Sequence, residues 1–151
     1  MIEIYVDADA CPVKAEVEKV ADRHGLKIYL VANAGLRPRR HPMIEQVVVS
    51  EGPDVADDWI AERVTASDIA ITADIPLAAR CLEKQARVIG PTGKLFTREN
   101  IGMALGMRDL KQQLRESKQS QTYNAGFTDK DRSRFLGTLE NEIQSLMRKR
   151  G

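Results

Sequence analysis

The sequence contains few of the residues on which several common kinds of functional site depend. Among its 151 residues there are only two histidines and two cysteines, Cys11 and Cys81. Two cysteines so far apart suggest neither a disulfide framework nor a zinc cluster, so we expect both to be reduced and buried. Because neither histidine lies near Cys11 in the sequence, a catalytic cysteine–histidine pair is disfavoured.

Long apolar runs are also missing. No stretch approaches the length that spans a bilayer, and the amino end lacks a basic and then apolar signal pattern. We therefore expect a cytoplasmic protein without membrane contact. With 42% hydrophobic residues the chain can bury a sizeable core, and we predict one domain over 1–151. Its predicted parts are an α/β core over 1–116, a flexible linker over 117–127 and a C-terminal helix over 128–150.

Charge of one sign does not dominate, since the formal net charge is +1, but the charges are unevenly distributed. Met1–Pro91 contains 11 Lys and Arg against 15 Asp and Glu, whereas Thr92–Gly151 contains 12 against 7. An acidic site beside a basic surface would suit a metal-bound phosphate substrate. Solvated helix faces explain the basic excess equally well.

Short apolar runs alternate with amphipathic segments, which predicts an α/β fold with a central, mostly parallel five-stranded sheet flanked by helices. The predicted strands are the run that ends at Asp7 and the ranges 27–32, 46–50, 68–72 and 87–90. The predicted helices begin near Pro12, Asp54, Pro76, Thr97 and Thr128. A strand, helix, strand order over so few residues implies parallel strands, whose carboxyl ends share one edge of the sheet.

Aspartates follow three of these strands. Asp7 and Asp9 end the first, and residues two apart stay on one side of an extended chain. Asp57 and Asp58 lie in the opening of the helix after the third strand, on its predicted polar side, and Asp74 follows the fourth. We expect the sheet edge to collect these carboxylates at the place where open α/β sheets bind ligands.

Ordinary helix chemistry competes with this interpretation. Asp54 and Asp74 both stand where a helix cap is expected, and Pro76 fits the first turn after Asp74. Three acids at the start of the second helix, Asp54, Asp57 and Asp58, nevertheless exceed what a cap requires.

A cluster of ionised carboxylates requires a cation, because like charges raise one another's pKa. Mg²⁺ or Mn²⁺ prefers such oxygen ligands, and one or two ions can activate water and stabilise the leaving oxygen in phosphodiester hydrolysis. The predicted metal ligands are Asp7, Asp9, Asp57 or Asp58, and Asp74. The sequence thus favours a metal-dependent reaction at a phosphate.

Basic residues near the strand ends are candidates for holding the substrate. Arg37, Arg39 and Arg40 lie in a predicted irregular loop, and arginine pairs bidentately with phosphate. Asn33, at the carboxyl end of the second predicted strand, and Lys14, in the segment that begins at Asp7, are further candidates. Basic surface loops are common, however, and Asn33 fits a simple turn equally well.

Three motifs resemble a known family. They are Asp7-Ala-Asp-Ala-Cys-Pro-Val-Lys14, Gly52-Pro-Asp-Val-Ala-Asp-Asp-Trp-Ile60 and Thr72-Ala-Asp-Ile-Pro-Leu77. In this order, over nearly the whole chain, they resemble the YaiI/YqxD family of uncharacterised bacterial proteins, which looks like a branch of the PIN-like nuclease superfamily. The resemblance implies a three-layer PIN-like domain that binds Mg²⁺ or Mn²⁺. It implies catalytic or metal-binding roles for Asp7, Asp9, Asp58 and Asp74, with Asp57 a close contender.

We therefore predict a metal-dependent nuclease that acts on RNA in preference to DNA. One alternative is a non-catalytic module that binds RNA or a nucleotide. Another is an aspartyl phosphatase of the haloacid dehalogenase type, with Asp7 as nucleophile and Asp9 as acid; Cys11 stands where that type has Thr or Val. The sequence leaves the oligomeric state open, with a homodimer among the options.

Overall fold

The structure is a computed structural model that describes residues 2–8, 11–33, 41–50, 52, 54–102 and 127–150. The strands are β1 (Glu3–Asp7), β2 (Lys27–Ala32), β3 (Ile44–Val48), β4 (Ile69–Ile71), β5 (Arg87–Ile89) and β6 (Leu95–Phe96). The helices are α1 (Lys14–His24), α2 (Val55–Arg63), α3 (Ile75–Glu83) and α4 (Asp129–Arg150), and residues 98–102 are also helical. None of the described helices is long and apolar enough to cross a membrane.

All six strands form one sheet in the order β3-β2-β1-β4-β5-β6. Every neighbouring pair is parallel except β5 and β6, which are antiparallel. The chain lays β2 and β3 on one side of β1 and then places β4 and β5 on the other side. We call the crevice between the carboxyl ends of β1 and β4 the switch point, because strand order reverses there and open α/β sheets bind ligands at such places.

Two apolar cores cover the two faces of the sheet, as expected for a three-layer α/β domain. Successive residues of a strand point to opposite faces, so Ile4 and Val6 of β1 face α1 and α4, whereas Tyr5 faces α2 and α3. The predicted apolar faces of α1 and α4 are confirmed. Val17 and Val20 of α1 are fully buried, as are Phe135, Leu139 and Ile143 of α4.

The predicted five strands are one too few. After β5, Gly90 N–H donates to Lys94 O at 2.8 Å, and this turn returns the chain as β6 beside β5. Two residues are too short to show the alternation that identifies a strand. The prediction also placed β3 two residues too late, because Ile44 pairs with Ile28 and packs against the core.

The helix ends agree more closely with the prediction. Gly25 ends α1 in the left-handed conformation, and Thr128 and Asp131 form a capping box at the start of α4, with bonds of 3.1 and 3.2 Å. Pro12 lies one residue before the cap position Val13, so its predicted place in the first turn of α1 is wrong. Most of the predicted helix 97–116 and of the predicted linker lie outside the described residues.

Candidate functional site

Asp7 ends β1 at the switch point, and Thr72 holds it there. The hydroxyl of Thr72 donates to Asp7 Oδ2 at 3.0 Å, which joins the carboxyl ends of β1 and β4. The same Thr72 hydroxyl accepts a hydrogen bond from the backbone N–H of Asp74 at 2.9 Å. Thr72 is buried, and its two hydrogen bonds position both Asp7 and the backbone of Asp74. The sequence prediction did not include Thr72, although a polar residue at the end of an otherwise apolar strand was a signal for it.

Asp74 caps α3, as its sequence context allowed. Its Oδ1 accepts a hydrogen bond from the backbone N–H of Leu77 at 2.9 Å, and Pro76 occupies the first turn. The cap is therefore an established role of Asp74. It does not remove the negative charge, which still acts on the neighbouring α2.

Asp57 is the half-buried acid of α2, and the other acids of the site act on it. Its pKa is raised from 3.8 to about 6, first because burial disfavours the carboxylate and then because Asp74, Asp7 and Asp54 carry the same charge. Arg80 opposes this rise. Carboxylates from three separate connections thus interact at one edge of the sheet. The prediction that Asp57 lies on the polar side of α2 is corrected, because the residue is turned partly inward.

Asp58 points elsewhere. It is exposed, and its Oδ1 accepts a hydrogen bond from Arg80 Nη1 of α3 at 2.7 Å. Neighbouring helix residues are about 100° apart around the axis, so Asp57 and Asp58 cannot both face the switch point. The geometry favours Asp57 as the α2 carboxylate of the site and makes Asp58 the partner of Arg80. Arg80 is itself a cationic candidate that the sequence prediction did not include.

Asp54 occupies the cap position of α2 without capping it. Its φ is 69°, in the left-handed region, and its side chain makes no capping hydrogen bond. An effective cap residue has extended backbone angles, which direct its side-chain oxygen toward the first turn of the helix. The predicted capping role of Asp54 is therefore wrong.

A pocket of about 30 Å³ opens beside Asp7, with space for one or two water-sized groups. It is lined by Asp7, Cys11, Ile71, Thr72, Ala73 and Pro91. Burial raises the pKa of the Cys11 thiol, and it raises that of Cys81 to about 12. Both cysteines are free and buried, as predicted, and their thiols stay protonated at neutral pH.

Of the remaining predicted site residues, the structure describes only two. Asn33 follows β2, and its amide donates to Gly52 O at a long 3.5 Å, which links the end of β2 to the turn before α2. Lys14 is the first residue of α1. Asp9 and the three loop arginines, Arg37, Arg39 and Arg40, lie outside the described residues, so the structure places none of them.

Comparison with known proteins identifies the family. A model of the uncharacterised YaiI/YqxD family matches residues 5–145, a range that runs from the middle of β1 into α4. The chain belongs to this family. The resemblance carried by the three aspartate motifs is thereby confirmed, and the YaiI/YqxD match includes all five candidate aspartates.

Several YaiI/YqxD relatives match over almost their whole length. A UPF0178 protein of Parvibaculum lavamentivorans is 59% identical over 149 residues, which cover 99% of this chain and 98% of the relative. A second UPF0178 protein, from Agrobacterium fabrum, is 62% identical over 138 residues, covering 91% of this chain and 90% of the relative. No solved structure matches the chain.

The donor chemistry of the YaiI/YqxD switch point suits a hard divalent cation. Asp7, Asp57 and Asp74 offer carboxylate oxygens, and the charges of Asp74 and Asp7 add to the effect of burial on the pKa of Asp57. Within the described residues, no three His, Cys, Asp or Glu side chains form a group that could hold one metal ion. An ion would therefore take no more than two of these carboxylates, together with water or a substrate phosphate. Mg²⁺ is commonly bound in this way.

Proposed function

We propose that this protein is a divalent-cation-dependent nuclease that hydrolyses phosphodiester bonds at the switch point, with RNA favoured over DNA. The observation that carries the proposal is the half-buried Asp57, whose pKa is raised to about 6 first by burial and then by the like charges of Asp74 and Asp7. An acid whose pKa is raised by burial and by neighbouring acids is typical of functional sites. The order of the strands supports the location.

We assign a different role to each carboxylate. Asp7 and Asp57 would hold the cation, with Asp74 adding negative charge and Asp9 completing the motif. Mg²⁺ or Mn²⁺, when bound, supplies Lewis acidity and neutralises charge on the phosphate. Thr72 keeps Asp7 oriented through its 3.0 Å hydrogen bond, and the capping bond to Leu77 fixes Asp74. The site is thus organised before a substrate arrives.

Asp57 also has the acidity that proton transfer requires. A carboxyl group with a pKa of about 6 holds a proton at mildly acidic pH and accepts one near neutrality. In the metal-free protein Asp57 therefore changes its charge near pH 6. A bound cation would lower that pKa, since it favours the carboxylate.

Cations at the rim would hold the phosphate backbone. The side chain of Arg80 is 43% exposed and lies next to Asp57 and Asp58, within the acidic rim. Its guanidinium suits a phosphate because of its planar set of donors. Lys14, Asn33, Arg37, Arg39 and Arg40 stay predicted substrate contacts.

A cleavage assay tests the proposal directly. Purified protein is incubated with single-stranded RNA, single-stranded DNA or a chromogenic phosphomonoester, each with Mn²⁺, Mg²⁺ or EDTA. We expect metal-dependent cleavage of RNA that falls at least about a hundredfold in Asp7→Asn and Asp57→Asn. Glu62→Gln is the matched control, because Glu62 is an exposed acid of the same helix whose ion pair is with Arg63. Cleavage that survives EDTA, or that both aspartate variants retain, would contradict the proposal.

A cheaper experiment tests the cation alone. Millimolar Mn²⁺ should raise the melting temperature of the wild-type protein, because a ligand of the folded state stabilises it by mass action. The shift should be lost in Asp57→Asn and kept in Glu62→Gln. An unchanged melting temperature in the wild type would count against a metal site.

A non-catalytic RNA- or nucleotide-binding module is the second candidate. Two structural uses of the acids favour it: Asp7 Oδ2 accepts from Thr72, and Asp74 Oδ1 caps α3. Tight binding of RNA without turnover in any metal would support this candidate. Turnover of the phosphomonoester alone would instead support the phosphatase.

A further inference from the structure

Arg80 lies beside two acids of α2 at the rim of the switch point. It belongs to the second turn of α3, and helix side chains tilt toward the N-terminus, which for α3 is the end beside Asp74. Its Nη1 donates to Asp58 Oδ1 at 2.7 Å, and its charge also interacts with that of Asp57. The guanidinium is therefore next to the first turn of α2, which carries both carboxylates.

The ion pair of Arg80 with Asp58 contributes little to the stability of the fold. The two side chains are 43% and 53% exposed, and exposed ion pairs gain little because water solvates both charges well. A long arginine side chain in such a pair can exchange its partner for another acid nearby. What matters about this pair is therefore the place at which it holds the guanidinium.

The choice between two neighbouring acids affects the proposed cation. Asp57 is half-buried and is the carboxylate of α2 that the geometry favours for the site, so a divalent cation would bind to its oxygens. An ion pair between Arg80 and Asp57 would occupy those oxygens and neutralise their charge. Because the hydrogen bond of Arg80 goes to Asp58, it leaves Asp57 to the cation.

The same arrangement suits a phosphate beside the cation. A guanidinium has five N–H donors, and the bond to Asp58 Oδ1 uses one of them. The planar group can therefore still contact a phosphate through two donors. In phosphodiester hydrolysis the metal ion and the phosphate have to lie side by side, which requires separate groups for each.

We infer that Asp58 is a positioning residue, which holds Arg80 away from Asp57 so that the cation and the substrate phosphate have separate binding groups. The inference rests on the proposed function, because it concerns the same cation site. It assigns to Asp58 a role other than the metal-binding one that the family resemblance implies. Asp58 acts through Arg80 and touches neither the cation nor the substrate.

Calorimetric titration with Mn²⁺ tests whether Asp58 protects the cation site. In Asp58→Ala the guanidinium loses its partner, and Asp57 is the other acid of α2 with which it interacts. Arg80 then competes with the cation, so the dissociation constant for Mn²⁺ should rise about tenfold. Asp58→Asn keeps an acceptor oxygen for Arg80 and should stay within about threefold of the wild type. Glu62→Gln is the matched control, because it removes the charge of an exposed acid in the same helix.

Arg80→Gln distinguishes a positioning residue from a metal ligand. In the wild-type background it should change the dissociation constant for Mn²⁺ by less than about threefold, because Asp58 already holds Arg80. In the Asp58→Ala background it should lower that constant about tenfold and restore the wild-type value, because the competing guanidinium is gone. If Asp58 were a metal ligand, or acted only through its charge, Arg80→Gln would have the same effect in both backgrounds.

The outcomes separate this inference from the proposed function. Equal effects of Arg80→Gln in the two backgrounds would overturn the inference and leave the proposed function intact, as would an Asp58→Ala variant that binds Mn²⁺ as tightly as the wild type. A wild-type protein that binds no Mn²⁺ would contradict the proposed function, and the inference with it. Because both side chains are exposed, we expect each variant to keep the circular dichroism spectrum of the wild type.

Discussion

At the scale of single residues, Asp57 gives the stability of the metal-free protein a pH dependence. Its pKa in the folded state is about 6, against 3.8 as the ordinary value, with burial and the charges of Asp74 and Asp7 as the causes. Because the folded-state value is the higher one, the favourable contribution is complete below about pH 4 and is lost as the pH rises through about 6. After allowance for solvent screening, we expect a loss of about 1–2 kcal/mol.

Urea unfolding between pH 4 and 7 measures this effect. Asp57→Asn should flatten the decline over that window and should make the metal-free protein more stable than the wild type at pH 7. Glu62→Gln should keep the wild-type slope. A steeper decline in Asp57→Asn would show that the charge of Asp57 stabilises the fold.

Asp68 is a buried acid whose role is structural. It is 2% exposed and accepts hydrogen bonds from Glu3 N–H at 3.1 Å, Thr65 N–H at 2.8 Å and the Thr65 hydroxyl at 2.9 Å. We expect Asp68→Ala to lower the free energy of unfolding by about 3 kcal/mol, because it leaves buried donors without acceptors. Urea unfolding measures this loss. Asp68→Asn should cost less, and a neutral effect of the alanine change would show that water replaces the carboxylate.

At the scale of secondary-structure elements, Asp74 both caps α3 and places a negative charge near Asp57. Two substitutions distinguish the effect of the cap from the effect of the charge. Asp74→Ala should destabilise the protein by about 1 kcal/mol, since α3 loses the bond from Leu77 N–H. Asp74→Asn keeps a capping oxygen, so its free energy of unfolding should be unchanged or higher, because the repulsion with Asp57 is relieved.

Chemical unfolding and the RNA cleavage assay together test this separation. If the proposed nuclease is correct, Asp74→Asn should lower cleavage while the melting temperature is kept. Equal stability losses in Asp74→Asn and Asp74→Ala would show that the charge, rather than the cap, stabilises α3.

The turn between β5 and β6 fits closely against α4. Gly93 has φ of +90°, and a Cβ added there would lie 2.7 Å from backbone atoms of Arg134 and Phe135. Its carbonyl also accepts a hydrogen bond from the Thr138 hydroxyl at 2.8 Å. Gly93→Ala should therefore destabilise the protein by about 2–4 kcal/mol, measured by urea unfolding. Gly137→Ala is the control, because a Cβ there meets nothing within 4 Å and should cost little.

How well the sequence predicted each element depended on whether its signal was local. The helices α1 and α4 carry a helical spacing of apolar residues together with a glycine stop or a capping box, and both were predicted. The position of β3 was shifted because its valine run extends past the strand. The prediction omitted β6, since two residues carry no period. It also could not tell which of Asp57 and Asp58 faces the switch point, because that depends on how α2 packs on the sheet.

At the scale of the whole molecule, the location of the candidate site follows from topology. The sequence predicted a parallel sheet with aspartates after its strands, and the strand order brings Asp7 beside Thr72 and Asp74. Arg80 was missed because its role depends on a contact between α2 and α3 that no motif records. The acids could therefore be chosen from sequence, but their partners could not.

The packing of α4 also affects how the protein is made. Ile4 and Val6 of the central strand share one core with Phe135, Leu139 and Ile143, which the ribosome adds only after most of the chain. Until α4 emerges, part of one sheet face has no apolar cover, and chains in such a state tend to aggregate. We therefore expect the growing polypeptide to expose apolar surface until α4 has been synthesised and packs on the sheet.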